Sequence, residues 1–65
     1  MKEASISNFD LIWNMRGHFF STKNDPSAKE GDEYTFVDGT RRINCIISEI
    51  DNDIMIWEVL TKEAI

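Results

Sequence analysis

Apolar residues concentrate between Tyr34 and Leu60, and two short polar interruptions divide that stretch into three segments. These are YTFV, TRRINCIISEI and IMIWEVL, separated by Asp38-Gly39 and by Asp51-Asn52-Asp53. Each segment is rich in β-branched and aromatic side chains, which fit a pleated surface better than a helix. Asp-Gly between such segments is a strong local hairpin signal, because a tight type I′ turn needs positive φ and Asx and Gly reach it most easily. The pattern therefore predicts a three-stranded antiparallel meander over 34–60. With Asp38-Gly39 as a two-residue loop, Val37 faces Thr40, Phe36 faces Arg41 and Tyr34 faces Ile43. One sheet face then carries Tyr34, Phe36, Ile43, Cys45 and Ile47. With Asn52-Asp53 as the second turn, Ile54, Ile56 and Leu60 join that face as the expected core.

The opposite face carries Val37, Ile46, Ile50, Met55, Trp57 and Val59 beside Arg42, Asn44 and Ser48. A sheet with one solvated side alternates apolar and polar residues cleanly, and this one does not. Three arrangements account for it: a sheet curled into a small barrel, an N-terminal element over the second face, or a surface that meets a partner. A three-residue loop over Asp51 to Asp53 would exchange the faces of the last strand, since the side-chain period is two.

Before the meander, residues 1–8 are small and polar apart from Ile6 and read as a flexible lead-in. Residues 9–20, FDLIWNMRGHFF, fit two templates. As a strand, Phe9, Leu11, Trp13 and Met15 alternate with Asp10, Asn14 and Arg16, with Ile12 out of place. As a helix, Ser7 is the N-cap, Phe9, Ile12 and Trp13 form a stripe, and Gly17 is the stop. The period-two template fits better. Phe19 to Thr22 continue in β-like composition beyond Gly17, which reads as a bend or bulge. Residues 21–33 are a long polar loop, and residues 61–65 a charged tail with room for one helical turn.

Length and charge narrow the function. Sixty-five residues form a single domain that buries only about 60% of its unfolded surface, so association with a partner is a natural supplement. One cysteine excludes an internal disulfide, and one Cys with one His cannot build a four-ligand zinc site. That usage fits a reducing cytoplasm. No stretch reaches the ~18 apolar residues of a membrane span, and residues 1–15 lack a signal-peptide h-region. The net charge is −5. It is concentrated at −3 over residues 24–33 and −4 over residues 49–65, against +2 over residues 16–23. Such an excess of acid opposes nonspecific nucleic-acid binding and favours basic protein partners.

Catalytic patterns are absent from the sequence. His18 stands alone, Cys45 lies mid-strand, and the glycines Gly17, Gly31 and Gly39 form no phosphate-cradling loop. Asp51-Asn52-Asp53 begins like a calcium loop, but no Gly follows at the sixth position and Glu58 comes too early to close it. The expectation is no enzyme, no metal and no cofactor. Two candidate surfaces remain. Ile46, Ile50, Met55, Trp57 and Val59, rimmed by Glu49, Asp51, Asp53 and Glu58, have the composition of a protein interface. Trp13, Arg16, Phe19, Phe20, Arg41 and Arg42, with His18 and Lys23 nearby, have that of a single-strand nucleic-acid platform.

Phe36-Val37-Asp38-Gly39, followed by an Ile-rich strand, an Asp and Met55-Ile56-Trp57-Glu58-Val59-Leu60, is similar to the Sm-like small-barrel pattern. The likeness covers about 25 residues, with a strand one residue longer, no glycine around Asn44 and no Met-Asn pair. It implies a strongly bent β-meander and carries no RNA-binding residues over. The sequence reading is thus a mainly β domain, a small antiparallel meander or partly closed barrel of about five strands, of SH3-like or OB-like size. The alternative is α+β, with a helix over about 7–16 packed on a three-stranded antiparallel sheet. The expected function is a non-enzymatic, acidic protein-binding module that engages another protein or itself. Short acidic chains of this kind often act as modulators or inhibitors of larger proteins, including those of phages and mobile elements. The alternative is a single-stranded nucleic-acid-binding small barrel.

Overall fold

A computed structural model describes residues 2–65. The chain is mainly β, with strands β1 (Lys2–Ala4), β2 (Phe19–Lys23), β3 (Glu33–Asp38), β4 (Arg41–Asp51) and β5 (Ile54–Ala64), and one short helix, α1 (Phe9–Asn14). The strands make one sheet in the order β1-β3-β4-β5-β2. All neighbours are antiparallel except β1, which runs parallel to β3. The expected meander is its centre.

Both hairpins form near their expected turns, with informative differences. Asp38 pairs with Arg41, so the first loop is Gly39-Thr40 rather than Asp38-Gly39. Gly39 has φ +63 and is the residue of the pair that needs the left-handed region, as in hairpin turns with Gly at the first central position. This moves each partner by two residues, so Tyr34, Phe36, Ile43 and Cys45 stay on one face. In the second loop Asn52 takes φ 53, and Asp51 pairs with Ile54.

The last strand departs from expectation. Pairing runs Ile50 to Met55 and Glu49 to Ile56, then jumps to Ile47 opposite Trp57, leaving Ser48 without a partner. This β-bulge shifts the rest of β5 by one residue and exchanges its faces. Met55, Trp57 and Val59 enter the core at 5%, 3% and 6% exposure, whereas Ile54 and Leu60 are 42% and 47% exposed and Ile56 is half-buried on the outer face. A second irregularity, between Asn44 and Cys45, passes over Leu60 and resumes with Asn44 opposite Thr61.

Residues 9–14 are helical, not extended, and Asn8 rather than Ser7 stands at the N-cap. Six residues cannot hold a helix alone, so distant contacts sustain this one. Phe9 and Trp13 stack one turn apart at 6.0 Å, and the Arg41 guanidinium lies 4.9 Å and 5.5 Å from their ring centres. Arg41 also binds Asp10 and Asp38 at 2.7 Å each. At the other end Lys62 Nζ donates to the carbonyls of Trp13 and Met15, where a cation suits the helix C-terminus. Arg41 and Lys62, the partners from outside the segment, lie beyond the local pattern. The lead-in and tail are likewise strands: residues 2–4 pair with β3, and residues 61–64 extend β5 along β4.

The core lies between α1 and the concave face of the sheet. Ile43, Cys45 and Ile47 are its fully buried centre. Trp57 meets Tyr34 at 5.0 Å and Phe36 at 5.2 Å edge-on and stacks on Phe20 at 6.0 Å. Phe20 in turn reaches Phe36, three strands away, so the sheet curls into a partly open barrel. The loop of residues 24–32 buries Ala28 in this core. It also covers the β4 edge beyond the end of β3, through Gly31 N to Ile47 O, Ile47 N to Asp32 O, and Ile50 N to the Glu30 carboxylate.

The bulge makes paired substitutions diagnostic. Ile47→Ala, at a fully buried site, is expected to cost about 2–5 kcal/mol, comparable with the ~3–5 kcal/mol net that a core of this size supplies. Ile54→Ala and Leu60→Ala, on exposed side chains, are expected to stay within about 1 kcal/mol. Urea unfolding of the three variants checks this. Equal losses at positions 47, 54 and 60 would mean that β5 is not shifted.

Candidate functional site

The register fixes what each sheet face presents. On the concave side the candidate residues Met55, Trp57 and Val59 are core, and Ile50 packs against them. The indole N–H of Trp57 is satisfied internally by the Thr22 hydroxyl at 2.9 Å. Ile46 and Glu58 lie opposite one another on the outer face. Glu49 is opposite Ile56 on that face, Asp51 ends β4 opposite Ile54, and Asp53 lies in the second turn. The set expected to form one acid-rimmed interface is thus divided between core and outer face by the bulge at Ser48.

The basic-aromatic set is dispersed as well. Phe20 packs in the core, while Phe19, its neighbour on a strand, points to the outer face at 58% exposure. Arg41 is committed to Asp10, Asp38 and the two rings of α1, and its pKa is raised above the ordinary arginine value chiefly by the hydrogen bond to Asp10. Trp13 is half-buried against the core. Arg42 sits on the outer face opposite Glu63. Arg16 and His18 border a cleft of about 210 Å³ with Leu60 and Lys62.

Cross-strand rows define the outer face. One runs Glu33, Ile46, Glu58, Phe19; the next is Glu49, Ile56, Ser21; the last is Asp51, Ile54, Lys23. Above them lie Glu3, Thr35, Asn44 and Thr61, then Val37, Arg42 and Glu63. Thr35 Oγ1 donates to Asn44 Oδ1, and Asn44 Nδ2 donates to Thr61 Oγ1 and Glu63 Oε1, so the upper rows are a hydrogen-bonded lattice. The lower rows are different. Phe19, Ile46, Ile54 and Ile56 are apolar positions set among carboxylates, with Glu58 between Ile46 and Phe19. The face holds six acids and two bases, a net −4 of the chain's −5.

Sequence reasoning missed that Phe19 shares this face with Ile46 and Ile56, because the pairing of β2 with β5 is non-local. The available signal was the Phe19-Phe20 pair, since adjacent strand residues must point to opposite faces. No group of three or more metal-ligating side chains gathers among the described residues, and none of their helices is long and apolar enough to cross a membrane.

A second opening, of about 270 Å³, lies at the mouth of the curled sheet between Ser5-Ile6 and Thr22-Lys23, floored by Tyr34, Phe36, Met55 and Trp57.

Cys45 is the one nucleophile in the core, at 0% exposure, and burial pushes its thiol pKa up to about 12. The thiolate is disfavoured in the folded state. The folded chain therefore holds this proton at pH values where the unfolded chain has lost it, and stability falls as pH rises from about 9 toward 12. Cys45→Ala is expected to have a flatter stability profile than wild type over that window. In the native protein the thiol is expected to resist a disulfide-exchange reagent at pH 8 and to react at the rate of unfolding. Parallel stability profiles, or rapid labelling without unfolding, would refute this account of the thiol.

No protein-family model matches the chain, and no curated protein or solved structure is significantly similar to it.

Proposed function

We propose that the chain is a non-enzymatic binding module whose outer sheet face takes up a cationic, partly apolar segment of another protein. The observation that carries this reading is the group of Phe19, Ile46, Ile54 and Ile56 set among Glu33, Glu49, Asp51 and Glu58. An aromatic and aliphatic centre with a charged rim has the anatomy of a protein interface. Apolar side chains exposed on one face together, Phe19 at 58% and Ile54 at 42%, are the kind of feature that marks a contact site. The net −4 of the face selects the partner's sign, and complementary charge raises association rates more than affinity. A phosphate backbone is repelled by the same field, so this face favours protein over nucleic acid. The single buried cysteine suits action in a reducing cytoplasm.

A peptide array spanning net charges from negative to positive tests the reading. The expected binders carry Lys or Arg beside apolar residues and weaken as salt rises. Phe19→Ser combined with Ile56→Ser is expected to lower their affinity at least tenfold while circular dichroism stays unchanged. Single-stranded oligonucleotides are expected not to bind at 150 mM salt. Binding that ignores peptide charge or survives the double substitution would sink the proposal.

A further inference from the structure

The two edges of the sheet are unequally guarded. β1 is three residues long and carries Lys2 and Glu3, a short charged edge of the kind that discourages pairing. The open part of the β4 edge is covered by the loop of residues 24–32. β2 has five residues, no proline and no bulge, and among the described strands only β5 pairs with it.

The hydrogen bonds that bracket β2 show which of its backbone groups are free. Val59 N donates to His18 O at 2.6 Å and Asn24 N to Asp53 O at 2.8 Å. With the observed register, His18, Phe20, Thr22 and Asn24 therefore face β5 in hydrogen-bonded pairs. Phe19, Ser21 and Lys23 turn their N–H and C=O groups to the outside. One of those carbonyls, that of Lys23, receives a long 3.4 Å contact from the Thr22 hydroxyl.

We propose that two copies of this chain associate through this edge, β2 against β2, antiparallel and centred on Ser21. That register matches every outward group. Ser21 exchanges both backbone bonds with Ser21 of the second copy, and Phe19 does the same with the second copy's Lys23, twice by symmetry. It is also the register that charge favours. Each Lys23 falls beside the other copy's Phe19, whose neighbour on β5 is Glu58. Lys23 can then lie over the aromatic ring and reach toward a carboxylate two strand spacings, about 10 Å, away. No like charges oppose one another along the pair. The twofold axis runs through the sheet, so the two outer faces join side by side. A five-residue strand pair lies at the small end of specific interfaces, and two chains of charge −5 repel. The dimer is accordingly weak and concentration-dependent. Its hydrogen bonds use only the backbone of the edge, while Lys23 shares the Phe19 ring with the proposed binding face.

Sedimentation equilibrium over a dilution series, paired with amide hydrogen exchange at the same concentrations, tests it. Wild type is expected to dimerise with rising concentration, with protection appearing at the amides of Phe19, Ser21 and Lys23. Ser21→Pro removes one outward N–H and no bond to β5, and is expected to remain a folded monomer. Lys23→Glu is expected to weaken the dimer at least tenfold, and adding Glu58→Lys to restore it. A wild type that stays monomeric to millimolar concentration overturns the proposal. So does a dimer unaffected in a folded Ser21→Pro variant, or one that leaves the three amides unprotected. Should Ser21→Pro fail to fold, the charge exchange at 23 and 58 decides: a loss that the second substitution does not rescue rejects the register and with it the proposal.

Discussion

A single unpaired residue, Ser48, decides which side chains of the longest strand pair are core and which are surface. Without it, a two-residue turn at Asn52-Asp53 places Ile54, Ile56 and Leu60 beside Cys45 and Ile47. With it, Trp57 and Val59 take those places, and the aromatic cluster that closes the curled sheet can form. The same shift moves Glu49 and Glu58 outward beside Ile46 and Ile56. Core and candidate site are thus two results of one inserted residue, because the side-chain period of a strand is two and any odd displacement exchanges its faces.

What could be read from the sequence was what local chemistry controls. Gly39 and Asn52 mark turns because the left-handed region suits them, and the composition of Phe19 to Thr22 and of the meander marks strands. The faces of β3 and early β4 were legible because an error of two residues at Gly39-Thr40 leaves them unchanged. The rest depended on partners far along the chain. Nothing near Ser48 announces a bulge. Residues 2–4 and 61–64 became strands only because β3 and β4 offered unpaired edges. Phe9 to Asn14 satisfied a strand template, yet Arg41 and Lys62 supplied the contacts that make it a helix. The candidate interface residues do not gather for the same reason, since the bulge at Ser48 places them on two faces.

Charge is segregated along with apolarity. Arg41 and Lys62 are drawn into holding α1, one over its rings and one at its final carbonyls. Arg42 is matched with Glu63 across the β4–β5 pair. The carboxylates meanwhile collect on the outer face, where few cations remain to offset them. A chain of modest overall acidity thereby acquires one strongly acidic side, and the small number of cations reflects the structural use of those that exist.

The tie from Lys62 to the end of α1 also bears on how the chain assembles. It spans 49 residues, and a helix of six residues lies far below the length that persists on its own. The helix therefore gains its stability only when β5 is already laid against β4 and Arg41 is already in the first hairpin. Local helix formation cannot seed this fold. Contacts nearest in sequence lie in the meander, which favours assembly from there, with α1 depending on the sheet it packs against.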